Sequence, residues 1–174
     1  GYDGNGIVVS IIDTGIDLNH PDLEGQIIGG YDFVDNDEIP EDTNGHGTQV
    51  AGIIASNGNL KGIAPNSKIL MYKVSEDGES VPSHLIIKAI EKSIEDNADI
   101  INISLGINQT NTKIDQAVNK AVKNNIFVVT AAGNFGPELS TIGSPGINPN
   151  AITVGATFNN VTSSIVSTFE IEDK

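Results

Sequence analysis

The sequence predicts an α/β fold of three layers, in which a mainly parallel sheet carries helices on both faces. Three observations predict it: short apolar runs rich in β-branched residues, helical periodicities between those runs, and glycines near the ends of several runs. Continuous apolar runs are typical of parallel strands that are buried on both faces. Where strands alternate with helices, each crossover helix covers one face of the sheet.

Five apolar runs predict the strands, at residues 7–12, 69–74, 100–103, 126–130 and 151–154. Three segments between them predict helices, at about 46–56, 82–96 and 112–124. The helix at 82–96 carries its apolar residues on one stripe, formed by Leu85, Ile86, Ala89, Ile90 and Ile94. Pro82 suits the first turn of that helix. The acidic stretch 35–42 is predicted to be a surface loop.

Amino-acid composition and net charge exclude several classes of protein. A chain of 174 residues with 38% hydrophobic residues is long enough for one globular domain with a sizeable core. The absence of cysteine excludes disulfides and thiolate metal sites. A formal net charge of -14 argues against nucleic-acid binding, which needs a basic face. No apolar run approaches the length of a membrane span, and the start at Gly1 without methionine suggests an excised piece of a longer chain.

Polar residues stand where the predicted strands end. Asp13 ends the first strand, Ser104-Leu105-Gly106 follows the strand at 100–103, and Asn134 follows the strand at 126–130. In open α/β sheets, ligands bind beyond the carboxyl ends of the strands. His46 lies between two glycines at the head of a predicted helix. We therefore expect these groups to converge at one edge of the sheet.

The chemistry of three of these side chains suits acyl transfer. A carboxylate held against one imidazole nitrogen fixes the tautomer, so that the other nitrogen acts as general base toward a hydroxyl nucleophile. A side-chain amide aimed at the developing oxyanion lowers the barrier further. Asp13, His46 and Asn134 supply these roles, and a distance of roughly 2.6–3.2 Å is expected between Asp13 and His46. Taken singly, each residue also has a purely structural interpretation, in a turn or at a helix end.

Several motifs together resemble the subtilisin family of serine peptidases. Residues 13–17 (DTGID) resemble the aspartate motif of that family, and residues 46–52 (HGTQVAG) resemble its histidine motif. The segment 62–65 (GIAP) matches the turn before the next strand. Residues 104–106 (SLG) resemble the segment that pairs with substrate, and residues 131–134 (AAGN) resemble the oxyanion motif. Order and rough spacing agree over nearly the whole chain.

The resemblance implies a role for each matching residue. Asp13 orients the histidine, His46 is the general base and then the general acid, and Asn134 donates to the oxyanion. Ser104–Gly106, with Leu105 at its centre, binds the polypeptide substrate as an added strand. No cofactor is required by this chemistry. Family analogy also implies a secreted or cell-surface protein.

The nucleophile of the family does not occur in the sequence. It lies in a Gly-Thr-Ser motif that opens a helix, whereas Ser140, Ser144, Ser163, Ser164 and Ser167 lack that context. Residues 1–174 are therefore interpreted as a truncated, N-terminal part of a subtilisin-like catalytic domain. We expect this part to be inactive alone, to pair with the missing C-terminal part, and to leave apolar sheet surface uncovered at residues 7–12 and 127–130. The alternative is a catalytically dead binding domain on the same scaffold.

Two further hypotheses concern other ligands. A phosphoryl-transfer domain would also place Asp13 at the end of its first strand, but that hypothesis leaves His46, Ser104 and Asn134 without a role. The family resemblance implies a structural calcium with Asp22 as a ligand. The loop at 56–61 is shorter than in familiar subtilisins, which leaves few oxygen ligands, so we assign no metal-binding residue.

Overall fold

A parallel sheet forms the centre of the chain. The computed structural model describes residues 1–79, 81–136 and 138–156, and within them the sheet has six strands in the order β2-β3-β1-β4-β5-β6. All its pairings are parallel. The strands are β1 (Val8–Asp13), β2 (Ile27–Asp32), β3 (Lys68–Lys73), β4 (Ile100–Ile103), β5 (Phe127–Ala131) and β6 (Ile152–Val154). The five predicted strands are confirmed, with ends that differ by one residue at most.

Helices lie on both faces of the sheet, which confirms the predicted three layers. They are α1 (His46–Ala55), α2 (Ser83–Glu95) and α3 (Thr112–Lys123), and a short 3-10 helix spans Pro21–Leu23. Helix α1 packs with Ile11 and Met71 on one face, while α2 and α3 pack with Ile12, Tyr72 and Ile103 on the other. None of the helices in the described part of the chain is long and apolar enough to cross a membrane.

Strand β2 was not predicted, because two glycines interrupt its apolar pattern. Gly29 and Gly30 supply no side chain to pack and weaken the strand signal. Strands β2 and β3 approach each other so closely at Gly30 that a side chain cannot fit there. A Cβ at this position would lie 2.0 Å from the carbonyl oxygen of Met71 on β3. Only glycine fits at that point, so the feature that hides the strand in the sequence also allows it to pair.

The expectation of uncovered apolar surface is met at Phe127 and at Ile7, and it is wrong for Val128 and for residues 9–12. Val9 and Ile11 of β1 are buried beneath α1. By contrast, Phe127 of β5 is 65% exposed, and Ile152 and Val154 of β6 are 53% and 56% exposed. Helix α1 contacts β1 and β3. The sheet face it covers is therefore apolar and open at β5 and β6.

Candidate active site

The predicted convergence at one edge of the sheet is confirmed. Strands β1, β4 and β5 are parallel neighbours, so their carboxyl ends lie together. Asp13 is the last residue of β1, and His46 is the first residue of α1, which packs beside β1. A cavity of about 670 Å³ lies at this edge, and its lining includes His46, Ser104, Leu105, Gly106 and Asn134.

Asp13 and His46 form a close pair. The Nδ1 atom of His46 lies 2.6 Å from Oδ1 of Asp13, within the expected range. The Asp13 side chain is fully buried, whereas the His46 side chain is 48% exposed. The backbone N–H of Thr14 donates to the same carboxylate oxygen over 2.8 Å, which fixes the carboxylate. A neutral His46 in this geometry carries its proton on Nδ1 and leaves Nε2 for a reacting group.

The surroundings of His46 favour its protonated form. The hydrogen bond that His46 donates to Asp13 raises the pKa of the His46 imidazole above its ordinary value, and this effect outweighs the opposing effect of burial. The charges of Asp13 and Asp42 raise the pKa further. Within the described residues, Oδ2 of Asp13 is buried without a hydrogen-bond partner. A buried carboxylate of this kind is stabilised by a positive charge on the neighbouring ring.

A glycine lets α1 approach β1 closely enough for this pair. A Cβ atom added at Gly47 would lie 2.1 Å from the carbonyl oxygen of Gly15 and 3.2 Å from Cβ of Asp13. Any larger residue would push the first turn of α1 away from the end of β1. Gly47 is thus required by the backbone contact that holds His46 beside Asp13.

The predicted substrate and oxyanion residues lie around the same cavity. Asn134 is exposed at its rim, just beyond the end of β5. Ser104 accepts a hydrogen bond of 2.8 Å from the side-chain amide of Asn102 on β4. Leu105 is 8% exposed and belongs to the core beneath α2 and α3. The structure therefore places His46, Ser104–Gly106 and Asn134 around one cleft, and Asp13 is buried in contact with His46.

Sequence reasoning missed two parts of the site. The segment 77–79, after β3, lines the same cleft as the predicted substrate segment. Asp42, assigned to a surface loop, instead has its carboxylate bonded to the first turn of α1. Asp42 lies three residues before Gly45, the N-cap of α1, so it does not occupy a capping position and no local pattern in the sequence indicated its role. The predicted surface loop at 35–42 is confirmed, and only the role of Asp42 at its end was missed.

Ser144, one of the serines that lack the sequence context of the nucleophile, has a structural role. Ser144 is 1% exposed, its hydroxyl donates to Asp115 over 2.9 Å, and it accepts from the backbone N–H of Asn111 over 2.8 Å. Those bonds join the start of α3 to the segment after β5, which is a structural role. Ser163, Ser164 and Ser167 lie outside the described residues.

The other two histidines lie away from this pair. Nδ1 of His20 accepts the backbone N–H of Asp22 over 3.2 Å and so caps the 3-10 helix. His84 is exposed on the first turn of α2. Neither residue lines the cavity that holds His46.

The residues near Asp22 do not fit a calcium ion. The Asp22 carboxylate accepts the backbone N–H groups of Asn59, over 2.9 Å, and of Leu60, over 3.4 Å. The ammonium of Lys61 bonds to the carbonyl oxygen of Asn57, over 3.2 Å, and to its side-chain oxygen. The oxygens that a cation would need are thus taken by N–H donors and a positive charge. Within the described residues, no group of three acidic or histidine side chains could hold a metal.

The raised pKa of His46 predicts a pH dependence of stability. Its folded pKa lies above the ordinary value of 6.5, so the stabilisation is fully present below that value and is lost as pH rises through the folded pKa. Between about pH 6 and 8.5, where carboxylates stay ionised, the urea midpoint should fall as pH rises. A His46→Gln variant should show a smaller fall, and a His84→Gln variant should match the parent chain. An equal fall in all three chains would contradict the prediction.

Comparison with known proteins identifies the family. The family model for the subtilases matches residues 4–172. The minor extracellular protease Vpr of Bacillus subtilis (strain 168) is 44% identical over 171 residues, which cover 90% of this chain and 21% of that protein. The major intracellular serine protease of the same strain is 46% identical over 145 residues, which cover 78% of this chain and 45% of that protein.

A solved structure agrees with this result. Sphericase matches with a TM-score of 0.84 and 35% sequence identity, over 91% of this chain and 57% of that one. The chain therefore spans less than two thirds of each of these three proteins. Since the family model matches nearly all of the sequence and the fold agrees, this chain belongs to the subtilase family.

Proposed function

We propose that the protein is a serine endopeptidase that hydrolyses polypeptides by acyl transfer, and that residues 1–174 are part of its catalytic domain. The observation that carries this proposal is the 2.6 Å contact between Asp13 and His46 at the wall of an open cleft. Membership of the subtilase family supports it and leaves the phosphoryl-transfer hypothesis without a basis. The buried carboxylate and the half-exposed imidazole suit a pair whose histidine contacts a substrate.

In the proposed mechanism, each residue acts on a defined atom. Asp13 holds the proton on Nδ1 of His46, so Nε2 accepts the proton of a serine hydroxyl supplied by another segment of the protein. As that oxygen attacks the peptide carbonyl, the Asn134 amide donates to the oxyanion. The imidazolium, stabilised by Asp13, then gives its proton to the leaving amine. Ser104–Gly106 holds the substrate backbone in an extended form, which limits its freedom before attack.

Activity should depend on His46 in the full-length protein and be absent from residues 1–174 alone. Removal of one triad member costs about 10⁴- to 10⁶-fold in kcat. Turnover of a chromogenic peptide by the full-length protein should therefore fall by that order in a His46→Ala variant and stay unchanged in a His84→Ala variant. Residues 1–174 should show no turnover and no labelling by a fluorophosphonate. Labelling of residues 1–174 together with turnover that depends on His46 would reveal a nucleophile within this segment.

We also propose that the Asp22 loop works without calcium. A calcium ion bound with free metal at 100 times its Kd would stabilise the folded state by about 2.7 kcal/mol. Because Lys61 and the loop amides already satisfy the oxygens, the Tm difference between calcium and EDTA buffers should be the same in the parent chain and in Asp22→Asn. A calcium-dependent rise in Tm that Asp22→Asn removes would contradict this, and Asp37→Asn provides a control with the same loss of charge.

We infer from the family resemblance that the protein is exported from the cell. Relatives named as extracellular and as intracellular proteases both match the chain. Immunodetection of the protein in the culture medium and in the cell fraction of its source organism would test export directly. Recovery from the cell fraction alone would contradict it.

A further inference from the structure

The Asp42 carboxylate accepts five hydrogen bonds. Oδ1 accepts the hydroxyl of Thr14 over 3.0 Å and the backbone N–H groups of Asn44 and Gly45 over 3.0 and 2.8 Å. Oδ2 accepts the backbone N–H of Thr48 over 2.9 Å and its hydroxyl over 2.6 Å. One side chain thus bonds both to the residue that follows Asp13 and to the first turn of α1, on either side of His46.

Further bonds extend these contacts. The Thr14 hydroxyl that donates to Asp42 accepts the backbone N–H of Gly47 over 3.0 Å. The Thr48 hydroxyl that donates to Asp42 accepts the backbone N–H of Asp17 over 2.9 Å. The end of β1 and the start of α1 are thus joined twice, each time through a hydroxyl that needs Asp42 as its acceptor.

We propose that Asp42 is the positioning residue of the Asp13–His46 pair, because its carboxylate holds the first turn of α1 against the end of β1. Its functional meaning rests on the proposed peptidase function, whereas the geometric claim concerns this chain alone. Without Asp42, Thr14 and Thr48 would lose their shared acceptor, and the segment before His46 would lose the carboxylate that fixes its backbone. The imidazole would then meet Asp13 in a wider range of positions.

The charged state of Asp42 supports this role. Burial alone would raise the pKa of its carboxyl, but the bonds from Gly45 and Thr48 outweigh burial and lower the pKa, so the group is ionised at neutral pH. The negative groups around His46 are Asp13 at the end of β1, Asp42 before α1, and Asp77 and Glu79, which line the same cleft. Among these, Asp13 and Asp42 raise the pKa of His46.

Two substitutions separate the charge of Asp42 from its positioning bonds. Asp42→Asn removes the negative charge and replaces one of the two carboxylate oxygens, which accept hydrogen bonds, by an NH2 group, which can only donate them. Thr48→Val removes the hydroxyl that links Asp42 to Asp17 but keeps the charge. Glu41→Gln is the matched control, because it removes the same charge from the exposed neighbouring residue. Far-UV circular dichroism checks the fold of each variant, and NMR then follows the His46 ring against pH in the full-length protein.

We expect the His46 pKa to fall in Asp42→Asn, because a negative charge near the ring is removed, and exchange of the Nδ1 proton with water to become faster. Thr48→Val should accelerate the exchange while lowering the pKa less, and Glu41→Gln should change neither. A lower Tm in both variants with unchanged His46 titration and exchange would show that Asp42 is only structural, and would overturn the proposal. If Asp42→Asn does not fold, the exchange rate of the His46 Nδ1 proton in Thr48→Val tests the proposal. Faster exchange than in the parent chain supports the proposal, and an unchanged rate overturns it. Since none of these measurements uses turnover, their result is independent of whether the peptidase assay succeeds.

Discussion

Replacement of Lys73 by methionine is expected to lower the free energy of unfolding by about 3–5 kcal/mol. The Lys73 side chain is 3% exposed and lies 3.4 Å from the Asp32 carboxylate, which is 2% exposed, and 3.0 Å from Glu76. Methionine keeps most of the volume of the side chain but removes its charge. Asp32 would then be a buried carboxylate without its cation, which is the costly half of a broken ion pair.

A double variant separates the lost charge from the lost packing. Asp32→Asn keeps an oxygen for the backbone N–H groups of Val34 and Asp35, which donate to Oδ1 over 2.7 and 3.0 Å. The variant with both Lys73→Met and Asp32→Asn should therefore be more stable than Lys73→Met alone, because no unpaired charge remains buried. Urea denaturation of the four chains measures this coupling. Equal stability of the single Lys73→Met variant and the double variant would show that the ion pair contributes little.

Much of the fold could be predicted because its signals are local. Strands β1 and β4 carry continuous β-branched runs, and α2 and α3 carry apolar stripes at helical spacing. These patterns depend only on which residues follow one another. The order of the strands is different, since β2 lies at the sheet edge beside β3, and its glycines have meaning only against the backbone of Met71. A requirement that comes from contact with a distant segment produces no periodic pattern in the sequence.

The site was predictable where residue type alone defines the chemistry. Asp13 and His46 belong to motifs that carry their chemistry in the sequence, and the structure places them 2.6 Å apart. In the sequence, Asp42 cannot be distinguished from any other acidic loop residue. Its importance comes from the five hydrogen-bond donors that converge on its carboxylate. Glu79 likewise joins the cleft only because β3 ends beside β1. Interactions of this second kind need coordinates.

Substitution of Gly47 by alanine is expected to disrupt the Asp13–His46 pair. The added methyl group would start 2.1 Å from the carbonyl oxygen of Gly15, far inside van der Waals contact, so α1 must retreat by roughly 1 Å. A misplacement of that size costs about 100-fold in turnover when it separates catalytic groups. The direct measurement is the NMR titration of His46, whose pKa should fall toward its ordinary value of 6.5 as the bond to Asp13 lengthens. Stability should fall by about 1–3 kcal/mol because the contact is overpacked.

Gly52→Ala provides a matched control in the same helix. No atom lies within 4 Å of a Cβ added at Gly52, so the same substitution meets open space there. Alanine is favoured over glycine inside a helix by about 1 kcal/mol, and Gly52→Ala should therefore stabilise the chain and leave the His46 titration unchanged. The helix preference is gained in both variants, so any loss confined to Gly47→Ala comes from the contact with Gly15. If both variants titrated His46 like the parent chain, the close approach of α1 to β1 would not control the Asp13–His46 distance.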